Sequence, residues 1–548
     1  MSDFFAGLAR RGRRLGELTR TYVLARQVAG RSHPPGDRKS VVFFNASARL
    51  SGLSQNSAFS LITSWAVRLA GVPVVHFVCK AGMSRCVLGA DQDCPQQSPP
   101  CGMCIRQSRA NYTGAKTHWF TYQRDEALAA TLESLNLSEL LSYEHSLPPC
   151  WLPDSPLPDS HSPISLPLGV LVLPSLRWRL RLQSLTDDEP TRFLCREFIL
   201  SAWNVACEFN ALLESVRPQA AVLFNGLQFP EAMAAWLCRR RGVRVIMHET
   251  SFQPFSAFFL EGEVTTYSIP LLDAGLTPEQ DAQVDFDLQK RREGDFIMAG
   301  VKFWKGMQGL PDKLVQKAAS FKQVVAVFTN IIFDTSLVFA NVVFADMFSW
   351  LDELLEVIRA HPETLFVIRA HPDEDRSGKA CRESVAMWVG RNLVVDLPNV
   401  IFIPPQEYIS SYELARFSKF VLTYNSTIGI EITLTGKPVL CAGRASFNEH
   451  ETAYFELDRP AYFRRLDSLL ADDQPEVPAE RLRTARRYWY FRNYRFTLPF
   501  GTFIESTVPA GYVRLTKFSW RDLLPEQSAT VRALLNGILH GKRFELDA

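Results

Sequence analysis

With 548 residues, 47% of them hydrophobic and 22% charged, the chain is several times the length of one ordinary domain and can bury more than one large core, which excludes disordered, collagen-like and coiled-coil classes. Lys plus Arg at 60 against Asp plus Glu at 58 leaves a formal charge of +2, too even for a protein that coats nucleic acid along its surface, so no nucleic-acid partner is expected. No stretch reaches the roughly 18–20 apolar residues of a membrane helix.

The first element is basic: residues 1–40 hold nine Lys or Arg against three Asp or Glu. Phe4, Phe5, Leu8, Leu15, Leu18, Tyr22 and Val23 recur among those arginines at roughly helical spacing, which predicts a basic amphipathic N-terminal segment, residues 1–39, that is either a solvated basic helix or one resting on anionic lipid. The apolar run and cleavage site of a secretory signal are missing, so the expected location is the cytoplasm, peripheral on the inner membrane.

From Ser40 onward short apolar runs alternate with helix-like segments, the signature of βαβ units around a parallel sheet. A first block holds Val41–Asn45 (strand), Ala58–Ala70 (helix), Val72–Val78 (strand), Ala220–Phe224 (strand), Pro230–Arg241 (helix) and Val243–Met247 (strand). Stretches 91–101 and 147–167, dense in Pro, Ser and Asp, bracket a helix-like stretch Asp125–Ser142 and read as surface excursions. A second, cleaner block alternates strands Val324–Thr329, Leu365–Arg369, Val400–Ile403, Phe420–Tyr424 and Pro438–Cys441 with helices Phe344–Arg359, Ser384–Asn392, Ser410–Phe417 and Thr427–Thr435. The expected fold is α/β: two Rossmann-like doubly wound domains, residues 40–295 and 318–475, facing a cleft, with a Cys-rich insertion (79–104) in the first and a helical bracing segment, 476–548, at the end.

Chemistry-bearing residues gather where predicted strands end. Strand Leu365–Arg369 runs into Ala370-His371-Pro372, and Pro372 takes His371 out of regular pairing, so that it points into the cleft and donates to an anionic oxygen. Arg369 and Arg376 would add charge for a phosphate, or pair with Asp373, Glu374 or Asp375. Strand Phe420–Tyr424 leads into Asn425-Ser426-Thr427 and a helix, where free N–H groups and two hydroxyls form a phosphate cradle; Glu431, one turn deeper on the same face, could accept from ribose hydroxyls.

Phe328-Thr329-Asn330, Ile368-Arg369-Ala370-His371-Pro372, Ser410-Ser411-Tyr412-Glu413-Leu414 and Tyr424 through Glu431 together resemble the capsule polysaccharide biosynthesis family of bacterial GT-B glycosyltransferases, related to Kdo transferases and polysialyltransferases. The resemblance implies a glycosyltransferase that builds capsule or another surface polysaccharide from a nucleotide-activated sugar, with a CMP-sugar favoured. His371 with Pro372 and Ser426 with Thr427 would then bind the nucleotide, and the acceptor would be a saccharide or lipid-linked saccharide. That group carries an acidic motif whose carboxylate is the general base. Here the matching strand end reads His248-Glu249-Thr250, with His and Thr where the family has an acid and Gly, which makes Glu249 the candidate base and Glu231 its rival. Asn225, His248 and Thr250 are expected on the acceptor side. The implied mechanism is inverting and needs no metal or other cofactor for the chemistry. A CDP-polyol phosphotransferase of teichoic-acid type, a nucleotide-sugar 2-epimerase and a non-catalytic assembly protein are the alternative classes.

Of eleven cysteines, five fall between Cys79 and Cys104. Cys101-Gly102-Met103-Cys104 resembles half of a zinc site, and Cys79 with Cys86 supplies a second pair with Cys94 spare, so the expectation is a structural zinc set, with free thiols or an iron–sulfur cluster the alternatives. The Arg- and aromatic-rich run Arg481–Arg492 reads as a bracing helix.

Overall fold

The computed structural model describes residues 2–46, 52–148, 151, 164–265, 269–271, 275–293, 297–298, 301–302, 308–375, 380–508 and 511–547. Two mainly parallel sheets organise them. The first contains β1 (Val41–Asn45), β2 (Val74–Cys79), β3 (Lys116–Phe120), β4 (Ala220–Phe224), β5 (Arg244–Thr250) and β6 (Ser256–Glu261). The second contains β7 (Gln323–Phe328), β8 (Thr364–Arg369), β9 (Val400–Ile403), β10 (Phe420–Thr423), β11 (Val439–Cys441) and β12 (Tyr454–Phe455).

The strand order is the same in both. The first sheet runs β3-β2-β1-β4-β5, all parallel, and then β6 antiparallel; the second runs β9-β8-β7-β10-β11-β12, all parallel. That is the doubly wound order, with the direction of winding reversing between β1 and β4 and again between β7 and β10. Both faces of each sheet are covered, which is why the strands read as unbroken apolar runs. In β1, Val42 and Phe44 enter one core while Val41 and Phe43 enter the core on the opposite face, and in β7 Val325 and Val327 oppose Val324, Ala326 and Phe328 in the same way.

The helices differ more from expectation. α1 (Ser2–Ala29) packs through Thr21, Leu24, Ala25 and Val28, whereas Leu15, Tyr22 and Val23 of the expected apolar face are exposed at 67%, 49% and 45%. α2 (Gln55–Leu69) starts at the Ser54 cap, and α3 (Cys101–Asn111) carries the Cys-x-x-Cys pair. The stretch Asp125–Ser142 splits into Glu126–Glu133 and Leu137–Leu141, because Asn136 and Glu139 form a capping box that starts a new helix. α4 (Leu168–Leu180) and the 28-residue α5 (Glu189–Val216) form a layer that sequence periodicity did not reveal. α6 (Glu231–Arg240), α7 (Pro278–Arg292), α8 (Met347–Ala360), α9 (Ile428–Thr433), α10 (Ala479–Tyr490) and α11 (Ala529–His540) follow.

After α10 the chain returns to the first sheet. β13 (Leu498–Pro499) pairs antiparallel with β6, and α11 packs on α2. Elsewhere the two halves meet at the end of α4. Arg181 ends that helix in the left-handed region (φ 60°) and its carbonyl accepts from the Arg382 N–H at 3.0 Å. Glu383 accepts from the backbone N–H groups of Gln183 (3.0 Å) and Ser184 (2.8 Å) and from the Ser184 hydroxyl (2.9 Å).

Candidate active site

In doubly wound sheets, ligands bind beyond the carboxyl ends of the strands where the winding reverses. In the first sheet that position is marked by Asn45 at the end of β1 and by Asn225 just after β4. Asn225 and Gly226 both have positive φ (55° and 78°), and a Cβ on Gly226 would come within 2.4 Å of the Met247 side chain, so a glycine is required there. The turn holds the Asn225 side chain over β5, where its Nδ2 donates to Glu249 Oε2 at 2.6 Å. Glu249 Oε1 accepts from Thr250 N (2.7 Å), Thr250 Oγ1 (3.0 Å) and Asn56 Nδ2 (3.5 Å). Burial raises the carboxyl's pKa and all four donors oppose that rise by favouring the ionised form.

A cavity of about 220 Å³ opens over this carboxylate. Asn45, Asn56, Ser60, Trp178, Asn225, Glu231, His248 and Glu249 line it from the first half, and Thr335 from the loop after β7 lines it from the second. Glu231 also faces the cavity, yet no side chain among the described residues donates to it, and burial, opposed only by its own backbone N–H, pushes its carboxyl up to about 8. Burial raises both carboxyls, but four donors oppose the rise at Glu249, whereas at Glu231 only its own backbone N–H does. His248 is buried and stacked on Phe259 at 5.1 Å; burial lowers it to about 3, so its ring is neutral. Unlike the predicted strand Val243–Met247, β5 continues through Thr250, so this acidic triplet lies within the strand and not after it.

In the second sheet the loops after β7 and β10 are tied together at the winding reversal. Asn330 Nδ2 donates to Asn425 Oδ1 at 2.6 Å, and Asn425 Nδ2 donates to the Ser336 carbonyl at 3.0 Å. Asn425 is therefore buried scaffolding, while Ser426 and Thr427, half-buried at the start of α9, use neither hydroxyl in a hydrogen bond among the described residues. His371 stands after β8 and Pro372 opens a 3-10 turn. The Asp373 N–H donates to His371 Nδ1 at 3.1 Å, which leaves Nε2 as the protonated nitrogen. Burial lowers the His371 pKa, with Asp373 and Asp334 opposing, so His371 is a neutral N–H donor rather than a cation.

Two expected contacts are corrected. The Glu431 oxygens are not open to a ribose: Arg291 Nη1 donates to Oε1 at 2.7 Å, the Tyr412 hydroxyl donates to Oε2, and the pair is buried, with side chains 9% and 5% exposed. Arg369 is buried and its Nη1 donates to the Ile409 carbonyl; burial lowers its pKa to about 10. Arg376 lies outside the described residues. Asn56, Ser60 and Thr335 are cavity residues that sequence reasoning missed, although the polar run Gln55-Asn56-Ser57 at a helix start after a strand is a signal of the kind that exposed Ser426.

Cys79, Cys86, Cys101 and Cys104 converge from β2, the following loop and α3 on one small cavity of about 20 Å³. None is in a disulfide, and burial pushes Cys79 and Cys86 up to about 12. Among the described residues, no three His, Cys, Asp or Glu side chains are spaced to hold a metal ion as they stand.

Comparison with known proteins matches one segment of the chain to a family. Residues 303–452 match the family model described as capsule polysaccharide biosynthesis protein, which bears out the resemblance over the segment from before β7 to the approach of β12. No curated protein matches the chain. Among solved structures, the Thermosulfurimonas dismutans KpsC β-Kdo 2,4 transferase is 13% identical over 54% of this chain and 84% of its own, with a TM-score of 0.34. The β-Kdo 2,7 transferase of the same protein is 12% identical over 59% and 90%, with a TM-score of 0.31. The Neisseria meningitidis UDP-GlcNAc 2-epimerase bound to UDP-GlcNAc is 11% identical over 82% and 95%, with a TM-score of 0.24. At these scores the likenesses are too loose to carry substrate or mechanism.

Proposed function

Starting from the capsule polysaccharide biosynthesis match, we propose that the chain is a glycosyltransferase of surface-polysaccharide assembly, with an acceptor-binding half (40–295), a half binding a nucleotide-sugar (318–475) and a bracing segment (476–548), the two halves facing one cleft as in GT-B enzymes. The observation that carries this reading is the Glu249 carboxylate. Four donors that favour its ionised form oppose the effect of burial, in a cavity whose far wall, Thr335, belongs to the half that matches the family.

In the reaction, Glu249 takes the proton of an acceptor hydroxyl while that oxygen attacks the anomeric carbon of the sugar. The bond to the nucleotide phosphate breaks with inversion, and the departing negative charge is met by the hydroxyls of Ser426 and Thr427 and the Nε2–H of His371. No step is routed through a metal. The family resemblance favours a CMP-sugar as donor. The four converging thiols are kept as a structural zinc set that requires their sulfurs to draw together; near one equivalent of zinc in purified protein supports it, and under a tenth removes it. The exposed Leu15, Tyr22 and Val23 of α1 support peripheral attachment to anionic lipid, testable by vesicle flotation; no helix among the described residues is long and apolar enough to cross a membrane.

The test is calorimetric or thermal-shift binding of CMP, CDP, UDP and GDP to the wild type and to His371→Ala. Stabilisation by one nucleotide, weakened in the variant, is expected. Binding of none overturns the reading.

A further inference from the structure

The end of the first sheet remote from Glu249 holds a second cavity, of about 580 Å³, formed by the amino ends of β1, β2 and β3 and the carboxyl ends of α1, α2 and α5. Five cations stand around it, Arg38, Lys39, Arg68, Lys116 and Arg217, and no Asp or Glu among the described residues lines it. Asp37 and Glu214, the acids next to lining residues in sequence, form no ion pair with any of the five among the described residues. Arg68 is 6% exposed; its Nη2 donates to the Gly114 carbonyl at 2.6 Å, while its Nη1 is enclosed and has no hydrogen-bond partner. A guanidinium buried in this way is costly until an anion meets it.

Helix ends account for part of this charge. Ala29, Arg68 and Val216 line the cavity from the last turns of α1, α2 and α5, and a helix carboxyl end carries about half a negative charge, so the three together supply about −1.5. Arg38 answers one of them directly, its Nη1 donating to the carbonyls of Ala70 (3.0 Å) and Gly71 (3.1 Å) beyond α2. Five full positive charges still leave a surplus of about 3.5. Lys39 and Lys116 cap no helix: one stands two residues before β1 and the other opens β3, and, like Arg217, both are exposed and donate no side-chain hydrogen bond among the described residues. The surplus is also well away from the reaction cavity. Ser40 lines the basic cavity and Asn45 the Glu249 cavity, and five extended residues separate them by about 16 Å.

We infer that this cavity binds a phosphate group, as an anion site separate from the reaction cavity, with Arg68 as its buried donor and Lys39, Lys116 and Arg217 supplying charge around it. A guanidinium fork matches two phosphate oxygens, and the lysines act as point charges on flexible stems. A soluble phosphate compound and a phospholipid headgroup both present that chemistry. The headgroup is a source because α1, whose last residue lines the cavity, carries the exposed Leu15, Tyr22 and Val23. The inference stands or falls apart from the transferase reading, since neither of its readouts needs nucleotide binding.

The test titrates inorganic phosphate against chloride at matched ionic strength, read by thermal shift on the full chain, and measures flotation of the same proteins with vesicles of phosphatidic acid in phosphatidylcholine. The variants are Arg68→Gln and the double variant Lys39→Gln with Lys116→Gln, with His371→Ala as control. Arg68→Gln loses a bond to Gly114; should it fail to fold, the double variant, which removes no internal hydrogen bond, carries the test alone. Saturable stabilisation by phosphate, capture by the vesicles, or both are expected in the wild type, at least fivefold weaker in the variants and unchanged in His371→Ala. A phosphate shift weakened in the variants with flotation unchanged assigns a soluble phosphate compound. Flotation weakened in the variants, with or without a phosphate shift, assigns a lipid headgroup. Phosphate shift and flotation both equal in wild type and variants overturn the inference, as does the absence of any phosphate shift together with unchanged flotation. A phosphate shift lost in His371→Ala and kept in the other variants also overturns it, because the anion would then sit on the nucleotide side.

Discussion

The sharpest consequence of the cavity concerns Asn225 and the acid limb of the pH–rate profile. Its Nδ2 donates to Glu249 at 2.6 Å, and a hydrogen bond to a charged group contributes about 1.5–3 kcal/mol, so removing it should raise the Glu249 pKa by about 1–2 units. Asn225→Gly removes the donor without straining a backbone at φ 55°. Asn225→Asp keeps the shape and puts a second carboxylate against the first; two charges about 3 Å apart at an effective dielectric of about 20 repel by about 5 kcal/mol, which favours one shared proton and a shift of about three units or more. A general base works only when ionised, so in kcat/KM measured against pH the acid limb should move upward in the order wild type, Asn225→Gly, Asn225→Asp, with the rate above the limb largely retained in the glycine variant. If both variants lower the rate equally at every pH and leave the limb in place, Glu249 is not the titrating base, and the wiring described for it is structural.

Glu231→Gln should leave activity at pH 7 within a few-fold, because a carboxyl raised to about 8 is already mostly protonated there. Its folded pKa lies above the unfolded value near 4.5, so its contribution to stability is present below that value and lost as pH rises through 8; the melting temperature of the wild type should fall relative to Glu231→Gln between pH 5 and 9, and parallel curves would contradict the assignment. Glu431→Gln leaves Arg291 buried without its counter-charge and should cost about 3–5 kcal/mol in denaturant unfolding; a loss under 1 kcal/mol would reopen Glu431 as a ribose contact. Alkylation at pH 8 followed by peptide mass spectrometry should modify exposed Cys94 well before Cys79 and Cys86, whose burial to about 12 leaves them about a thousandfold less thiolate than an ordinary thiol.

The strands were legible because both faces of each sheet are covered: Val-Val-Phe-Phe in β1 and Val-Val-Ala-Val in β7 leave no polar alternation to confuse the reading. His371, Ser426 and Thr427 were legible for a local reason, since a proline after one strand and a hydroxyl pair before one helix mark strand ends without any tertiary knowledge. α5 was not, because consecutive Phe198, Ile199 and Leu200 are all buried and blur a 3.6-residue period. Nor were the partners of Glu431, since Arg291 arrives from 140 residues upstream.

The return of the chain to its first sheet has a consequence for biosynthesis. Until residues 498–540 leave the ribosome, β6 presents a bare edge and α2 lacks the cover of α11 and of Phe500, whose ring sits 4.7 Å from that of Phe59. The half made first is therefore completed last, after the whole second sheet has been synthesised. A nascent chain of this protein carries an open, pairing-competent strand throughout the translation of its second sheet, which makes the interval before release the time when holdase chaperones matter most and when premature termination is most damaging.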